Sequence, residues 1–385
     1  MQGQPLVARM RGFGTTIFAE MSALAVHHGA VNLGQGFPDT DGPHEVIEAA
    51  VAALRAGRNQ YPPGRGVPEL LEAIAAHQRH WYGVQLDPQR EVLVTAGATE
   101  AITAALLALV EPGDEVLTFE PYYDSYAAGI ALAGASRRCV TLRAPDFAID
   151  RQALRAALTP RTRLVLLNSP HNPTGKVFTR AELEAVAELC RENDLLAVTD
   201  EVYEHLVFDG EHIRLACLPG MWERTVSVSS AAKSFSVTGW KVGWVSGPEP
   251  LVTAVATVKQ FLTYVNAAPL QPAVAVALGL PDEVLLAARD RLRDRRDQLV
   301  NGLRDIGLDV FTPAGTYFAI ADLASLGVND ALQFCRRLPE RVGVAAVPVS
   351  VFYDDARAGA SLVRFAFCKR PEVIDTALER LAKLR

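Results

Sequence analysis

Between Glu91 and Val245, short β-branched runs alternate with stretches of helical periodicity, and that alternation leaves few folds open. The strand candidates are Glu91–Thr95, Glu115–Phe119, Arg163–Leu167, Leu195–Thr199, Thr225–Val228 and Val242–Val245. Between them lie amphipathic segments such as Ala181–Asn193, where Leu183, Val186, Ala187 and Leu189 recur at helical spacing. Strands that take turns with helices build a largely parallel sheet with helices on its faces, so the class is α/β. A chain of 385 residues exceeds one small core and suits two or three domain-sized units. The expected division is a large unit over residues 34–275 and a smaller one assembled from residues 1–33 and 276–385.

The smaller unit reads as α+β. A long helical pattern from Glu249 to Gln271 is followed by a second over Asp282–Gly302 with no linker between them, so the chain is expected to pass between units along a helix. Beyond it, Thr316–Ala321, Val344–Val347 and Leu362–Phe367 read as strands, and Ala331–Leu338 and Pro371–Leu384 as helices. No repeat with a period of about 20 to 50 residues is visible, which excludes a solenoid or propeller.

Charge and cysteine content narrow the setting. A net charge of −6, with Lys and Arg dispersed, argues against a nucleic-acid surface. The densest basic cluster, Arg291, Arg293, Arg295 and Arg296, alternates with Asp290, Asp294 and Asp297 and reads as a solvated helix face. Cys139, Cys190, Cys217, Cys335 and Cys368 are odd in number and lack a C-x-x-C pair, which implies a reducing compartment. Met1–Gly14 has no apolar core of a signal peptide, and the best apolar stretch, Ile102–Val110, is too short to span a bilayer. A cytoplasmic location without membrane insertion is therefore expected. His27 and His28 are adjacent and cannot share a helical face, and there is no H-E-x-x-H, so no metal is expected.

Four polar residues fall near the carboxyl ends of candidate strands, where open α/β sheets place their ligands: Asn172, Asp200, Tyr203 and Lys233. Singly, each has a plain reading as a cap, a turn or a surface lysine. Together they meet the demands of pyridoxal phosphate, which needs an amine for an imine, an acid against its ring nitrogen, and donors around its phenolate oxygen and phosphate.

The run from Ser229 through Lys233, Thr238, Gly239, Trp240 and Lys241 to Trp244 resembles the lysine motif of the class I/II aminotransferases, the fold type I pyridoxal-phosphate enzymes. Similarity continues, in family order and over nearly the whole chain, through Asn32–Asp39, Asn59–Pro62, Asn172–Gly175, Thr199–Tyr203 and Val363–Phe365. Within the family the chain most resembles the subgroup of kynurenine/glutamine-type and N-succinyldiaminopimelate aminotransferases, on Glu201–Asp209 and Leu338–Pro348 above all.

The resemblance implies the site residue by residue. Lys233 would be the Schiff-base lysine and the carrier of the substrate Cα proton. Asp200 would keep the ring nitrogen protonated. Tyr203 and Asn172 would hydrogen-bond the phenolate oxygen, and Tyr123 would stack on the ring. Backbone N–H groups of Ala98 and Thr99 at a helix start, with Ser230 and Lys241, would hold the phosphate. Many relatives carry arginine where Lys241 stands. Tyr61 would reach the phosphate in the neighbouring subunit, which implies a homodimer. Arg364 would clamp the substrate α-carboxylate as a fork, aided by Gly36 and Asn172. The implied reaction moves the amino group of an L-amino acid to a 2-oxo acid, 2-oxoglutarate above all, by a ping-pong route. N-succinyldiaminopimelate or kynurenine/glutamine donors, or β-elimination from cysteine conjugates, share these motifs. Ile17, Phe18, Tyr123, Val351 and Phe352 are candidates for an apolar side-chain pocket.

Rival motifs fail on their partners. Ser230-Ala231-Ala232-Lys233 is also S-x-x-K, but Lys241-Val242-Gly243 follows too closely to be the distant K-T-G strand of serine acyl-transfer enzymes. Gly34-Gln35-Gly36 lacks the spacing of a dinucleotide loop, and Gly175-Lys176 lacks the rest of a P-loop.

Overall fold

A computed structural model describes residues 6–384. The outermost residues of the two segments assigned to the smaller unit, 1–5 and 385, lie outside it. A short strand, Val31–Asn32 (β1), precedes a seven-stranded sheet made of Val92–Thr95 (β2), Glu115–Glu120 (β3), Ser136–Thr141 (β4), Thr162–Asn168 (β5), Leu196–Asp200 (β6), Thr225–Ser230 (β7) and Gly243–Ser246 (β8). Its order is β2-β8-β7-β6-β5-β3-β4, and β8 alone runs against its neighbours. The expected α/β class holds, with a fold type I arrangement of a mostly parallel sheet flanked by helices.

The sheet is apolar on both faces because alternate side chains of one strand enter different cores. Leu117, Phe119, Val165 and Leu167 face a core shared with the Arg180–Glu192 helix and the C-terminal strands. Val116, Leu164, Leu166, Val198 and Val228 face the helix Gly97–Leu109. That helix is rich in alanine, which lets it lie close to the sheet and against Glu249–Lys259. Burying one such Leu or Val is worth about 1.5–3 kcal/mol, so the two cores fix the sheet strongly. The Arg180–Glu192 helix starts with a full capping box, in which Thr179 and Glu182 satisfy each other's backbone N–H groups.

The remaining strands are Asp309–Phe311 (β9), Phe318–Asp322 (β10), Val344–Ala345 (β11), Val347–Pro348 (β12) and Leu362–Ala366 (β13). Four of them form an antiparallel sheet in the order β12-β13-β10-β9. β11 instead pairs in parallel with β1, which ties the N-terminal segment to this part of the chain. The single strand expected over Val344–Val347 is thus two, joined through Ala346 and assigned to different sheets. β4 and β9 carry little apolar alternation and were not foreseen.

Two readings of the sequence need correction. The helical pattern from Glu249 to Gln271 breaks at Lys259, and a new helix begins at Gln271. Tyr264 and Ala267 take positive φ, and the Asn266 amide donates to Thr95 O at 3.1 Å and Lys241 O at 3.3 Å. Those long-range acceptors outbid helix propensity, and periodicity cannot register them. The second pattern is one helix from Asp282 to Asp305. On it the charged cluster is not wholly solvated: Arg296 is buried, pairs with Asp209 at 2.5 Å, donates to Pro313 O at 3.1 Å and lies over the Phe208 ring. Among the described residues no single helix is long and apolar enough to cross a membrane, and all five cysteines are free.

Candidate active site

The carboxyl ends of the parallel strands gather one pocket of about 430 Å³. Gly36, Ala98, Thr99, Tyr123, Asn172, Asp200, Tyr203, Ser230, Lys233, Lys241 and Arg364 all line it. Of the residues expected to hold cofactor or carboxylate, Tyr61 alone does not. It lies 80% exposed, edge-on to the ring of Tyr264 at 5.4 Å.

One corner is built for an anion. β2 ends at Thr95, and the helix Gly97–Leu109 follows after one residue, so the N–H groups of Ala98 and Thr99 fall in a first turn with no intrahelical acceptor. Gly97 takes φ +77°, and a Cβ there would stand 3.3 Å from Lys241 Nζ. Opposite it, a Cβ on Gly243 would stand 2.8 Å from the Gly97 carbonyl carbon, so β8 can approach only as glycine. The ammonium of Lys241 and the Ser230 side chain border the same space.

The middle of the pocket pairs an acid with an amine. Asp200 closes β6 and is buried; its Oδ2 accepts from Tyr126 OH at 2.6 Å, and its Oδ1 from Val202 N–H at 3.3 Å. Burial raises the carboxyl to about 6 despite those donors. Asn168 steadies the segment, donating to Asp200 O at 2.9 Å and accepting from Asn172 N–H at 2.7 Å. Lys233 lies three residues beyond β7, in the short helix Ala231–Ser234, with Nζ 5.6 Å from the Tyr317 ring centre and 5.9 Å from that of Tyr203. Desolvation lowers Lys233 to about 8, with Lys241 and Arg364 adding to the effect and Asp200 opposing it. An appreciable fraction of this amine is neutral near pH 8.

The third corner holds Arg364, on β13 and 1% exposed. Its Nη1 donates to Asn172 Oδ1 at 2.9 Å and its Nη2 to Gly34 O at 2.8 Å, while the guanidinium lies 3.9 Å over the Phe318 ring. Nε has no partner. Burial lowers Arg364 to about 10, which leaves it charged at neutral pH. Gly36 accepts from Tyr317 OH at 2.5 Å, and a Cβ on Gly36 would lie 2.5 Å from Phe318 Cζ, so the backbone reaches this wall only without a side chain.

The donor set fits pyridoxal phosphate. A buried carboxylate with no lysine or arginine ion-pair partner among the described residues suits a ring cation, helix-start N–H groups beside the Lys241 side chain suit a phosphate, and the amine of Lys233 lines the same pocket. An orphaned buried Nε on Arg364 marks a place for a carboxylate oxygen.

Some residues of the site escaped the sequence reading. Tyr126 and Asn168 hold Asp200, and Asp124, Phe37 and Phe318 line the pocket. A signal for Tyr126 existed, since Tyr123 and Tyr126 stand three apart on one helical turn. Asn168 could have been found as the last residue of a strand. The expected apolar wall is only partly right: Phe18 and Tyr123 line the pocket, whereas Phe352 is 1% exposed and stacks behind Phe18, and Ile17 and Val351 pack against the core.

Residues 29–381 match the family described as aminotransferase class I and II, and the chain belongs to that family. It is therefore a transferase, and pyridoxal phosphate is its cofactor. The "Probable N-succinyldiaminopimelate aminotransferase DapC" of Mycobacterium tuberculosis is 55% identical over 98% of each chain. The methionine aminotransferase of Escherichia coli is 42% identical over 100% of both. The solved structure of N-succinyldiaminopimelate aminotransferase from M. tuberculosis superposes with a TM-score of 0.97, covering 99% of this chain and 100% of that one at 55% identity.

Proposed function

We propose that this aminotransferase uses N-succinyldiaminopimelate as its preferred amino donor and 2-oxoglutarate as acceptor, acting as a cytoplasmic homodimer. The observation that carries the mechanism is the enclosure of the Lys233 amine and the half-satisfied Arg364 fork in one pocket. The 55% identity to the M. tuberculosis relative supports the donor.

Bound at this site, pyridoxal phosphate supplies an aldehyde that links to amines and a ring that stabilises negative charge at the substrate Cα. Ala98, Thr99, Ser230 and Lys241 would hold its phosphate. Asp200 would pair with the ring nitrogen, and the cation would draw this carboxyl back from its raised value toward the ionised form. Asn172 spends its Oδ1 on Arg364, which leaves its amide N–H groups to donate, with Tyr203, to the ring oxygen. Tyr123 would cover a ring face. Arg364 would take the α-carboxylate with Nε and one Nη, orienting the Cα–H bond toward Lys233 Nζ. Lys233, neutral once displaced, would remove that proton and return it one atom away. Among the described residues Arg364 is the only arginine lining the pocket, so strict selection of dicarboxylic donors such as aspartate is not expected.

Dimerisation is supported by the exposure of Phe261 (84%), Tyr61 (80%), Tyr264 (55%) and Leu262 (46%), too much apolar surface for a free face. In the dimer, Tyr61 of the partner subunit would complete the phosphate site. A second donor class is favoured by Phe18, Phe37 and Phe318, which give the pocket an apolar wall suited to methionine-like side chains. The test is a half-reaction screen following loss of the visible cofactor band against a panel of amino acids. N-succinyldiaminopimelate should give the largest rate constant per unit concentration; a methionine value about tenfold higher would overturn the donor assignment.

A further inference from the structure

Residues 200–206 face two ways. Asp200 and Tyr203 turn into the active-site pocket, while Glu204 and His205 line a separate cavity of about 460 Å³ bordered by Tyr82, His212 and Arg214. Behind His205 stands His77, from the helix Pro68–Tyr82, with the two Nε2 atoms 2.8 Å apart. A ligand atom from each of His77, Glu204 and His205 lies within 4.8 Å of the others.

Glu204 is 5% exposed, and no lysine or arginine among the described residues lies within 4 Å of it. Its Oε1 accepts from Ser229 Oγ, but its Oε2 has no hydrogen-bond partner. A buried carboxylate oxygen left in that state is costly unless a cation meets it. Arg214, the nearest permanent cation, is committed to Glu201 at 2.6 Å. His212, its side chain 4% exposed, borders the same cavity, but its Nε2 faces Glu201 Oε2 at 3.6 Å.

We propose that His77, Glu204 and His205 bind one divalent transition-metal ion, zinc being the best chemical match. Two imidazoles and a carboxylate are a standard donor set for zinc, whose bonds of about 2.0–2.1 Å place neighbouring tetrahedral donors roughly 3.3 Å apart. The two Nε2 atoms need to separate by only about 0.5 Å to reach that spacing. Burial lowers His77 to about 4, so its ring is neutral at physiological pH, the state a ligand requires. Gln78 Nε2 lies 3.4 Å from His77 Nδ1, too long a contact to hold the ring in one tautomer. The ion would tie the Pro68–Tyr82 helix to the turn that carries Asp200 and Tyr203, acting as a clamp outside the reaction path.

The experiment uses the full chain loaded with cofactor, stripped with a chelator and titrated with zinc against a chromophoric competitor. One zinc per chain at submicromolar affinity is expected, with the unfolding temperature rising by at least about 2 °C at saturation. The double variant His77→Gln/His205→Gln should lose affinity at least about 100-fold while keeping its visible cofactor band. Should that variant misfold, Glu204→Gln preserves the shape and should still weaken binding at least about tenfold. Cobalt in place of zinc should give visible d–d bands in the wild type that the double variant lacks. Zinc held equally by wild type and folded variants, or held by the wild type no tighter than about 10 µM, overturns the site and leaves a hydrogen-bonded histidine pair.

Discussion

Arg364→Lys keeps the charge at the carboxylate corner and removes the fork. In the wild type, two N–H groups can meet the two carboxylate oxygens while the others stay on Asn172 Oδ1 and Gly34 O. A lysine ammonium has three donors on one atom and cannot serve four acceptors in that plane. Loss of one charge-assisted hydrogen bond costs about 1.5–3 kcal/mol, and a lost partner for buried Asn172 or Gly34 adds about 1. A total near 3 kcal/mol lowers kcat/KM for amino acids roughly 150-fold. The assay is the single-turnover half-reaction of variant and wild type with an L-amino acid and with the matching amine that lacks the carboxylate. The amine has nothing for Arg364 to hold, so the two proteins should process it within about threefold of each other. The reasoning is refuted if the variant stays within fivefold of wild type on amino acids, or is impaired equally on the amine, for then the guanidinium does not read the carboxylate.

Other consequences are open to direct measurement. Lys233 sits near 8 rather than its ordinary 10.5, so cofactor capture by the apoprotein should slow about tenfold per pH unit below 8, and Lys233→Ala should abolish borohydride-fixable cofactor. The same depression makes the folded state bind this proton less than the unfolded chain does, so this group's contribution to apoprotein stability should rise between pH 8 and 10.5 rather than fall. Arg296→Met should cost about 1–3 kcal/mol in chemical denaturation through the lost bond to Pro313 O and the lost Phe208 contact, whereas Asp209→Asn, at a side chain that is itself 63% exposed, should cost under about 1. Gly175 takes φ +71°, and a Cβ would run into Pro313, so Gly175→Ala should lower stability by about 1–3 kcal/mol and loosen the Asn172 turn, seen as weaker cofactor retention.

Strands buried on both faces announce themselves, because β-branched residues must fill both cores; β3, β5, β6 and β7 were therefore legible to within a residue or two. Lys233, Asp200 and Arg364 were legible for a different reason. Each carries a reactive or charged group and is set in a run whose order matches a known family. Edge strand β4 and the turns at Tyr264 and Ala267 were not, since their conformations answer to distant acceptors rather than to local periodicity. Arg296 looked like its solvated neighbours because alternating charges on a helix do not reveal which member faces Phe208.

The sequence by itself determined the α/β class and the inventory of polar groups that gather in the pocket, Lys233 among them, because those depend on residue type and local spacing. Only the tertiary structure decided that Tyr126 and Asn168 hold Asp200, that Arg364 keeps a free Nε, and that Glu204 and His205 turn away from the pocket their neighbours line. These are relations between segments as far apart as 330 positions, such as Gly34 and Arg364, and their geometry is set by how the cores pack.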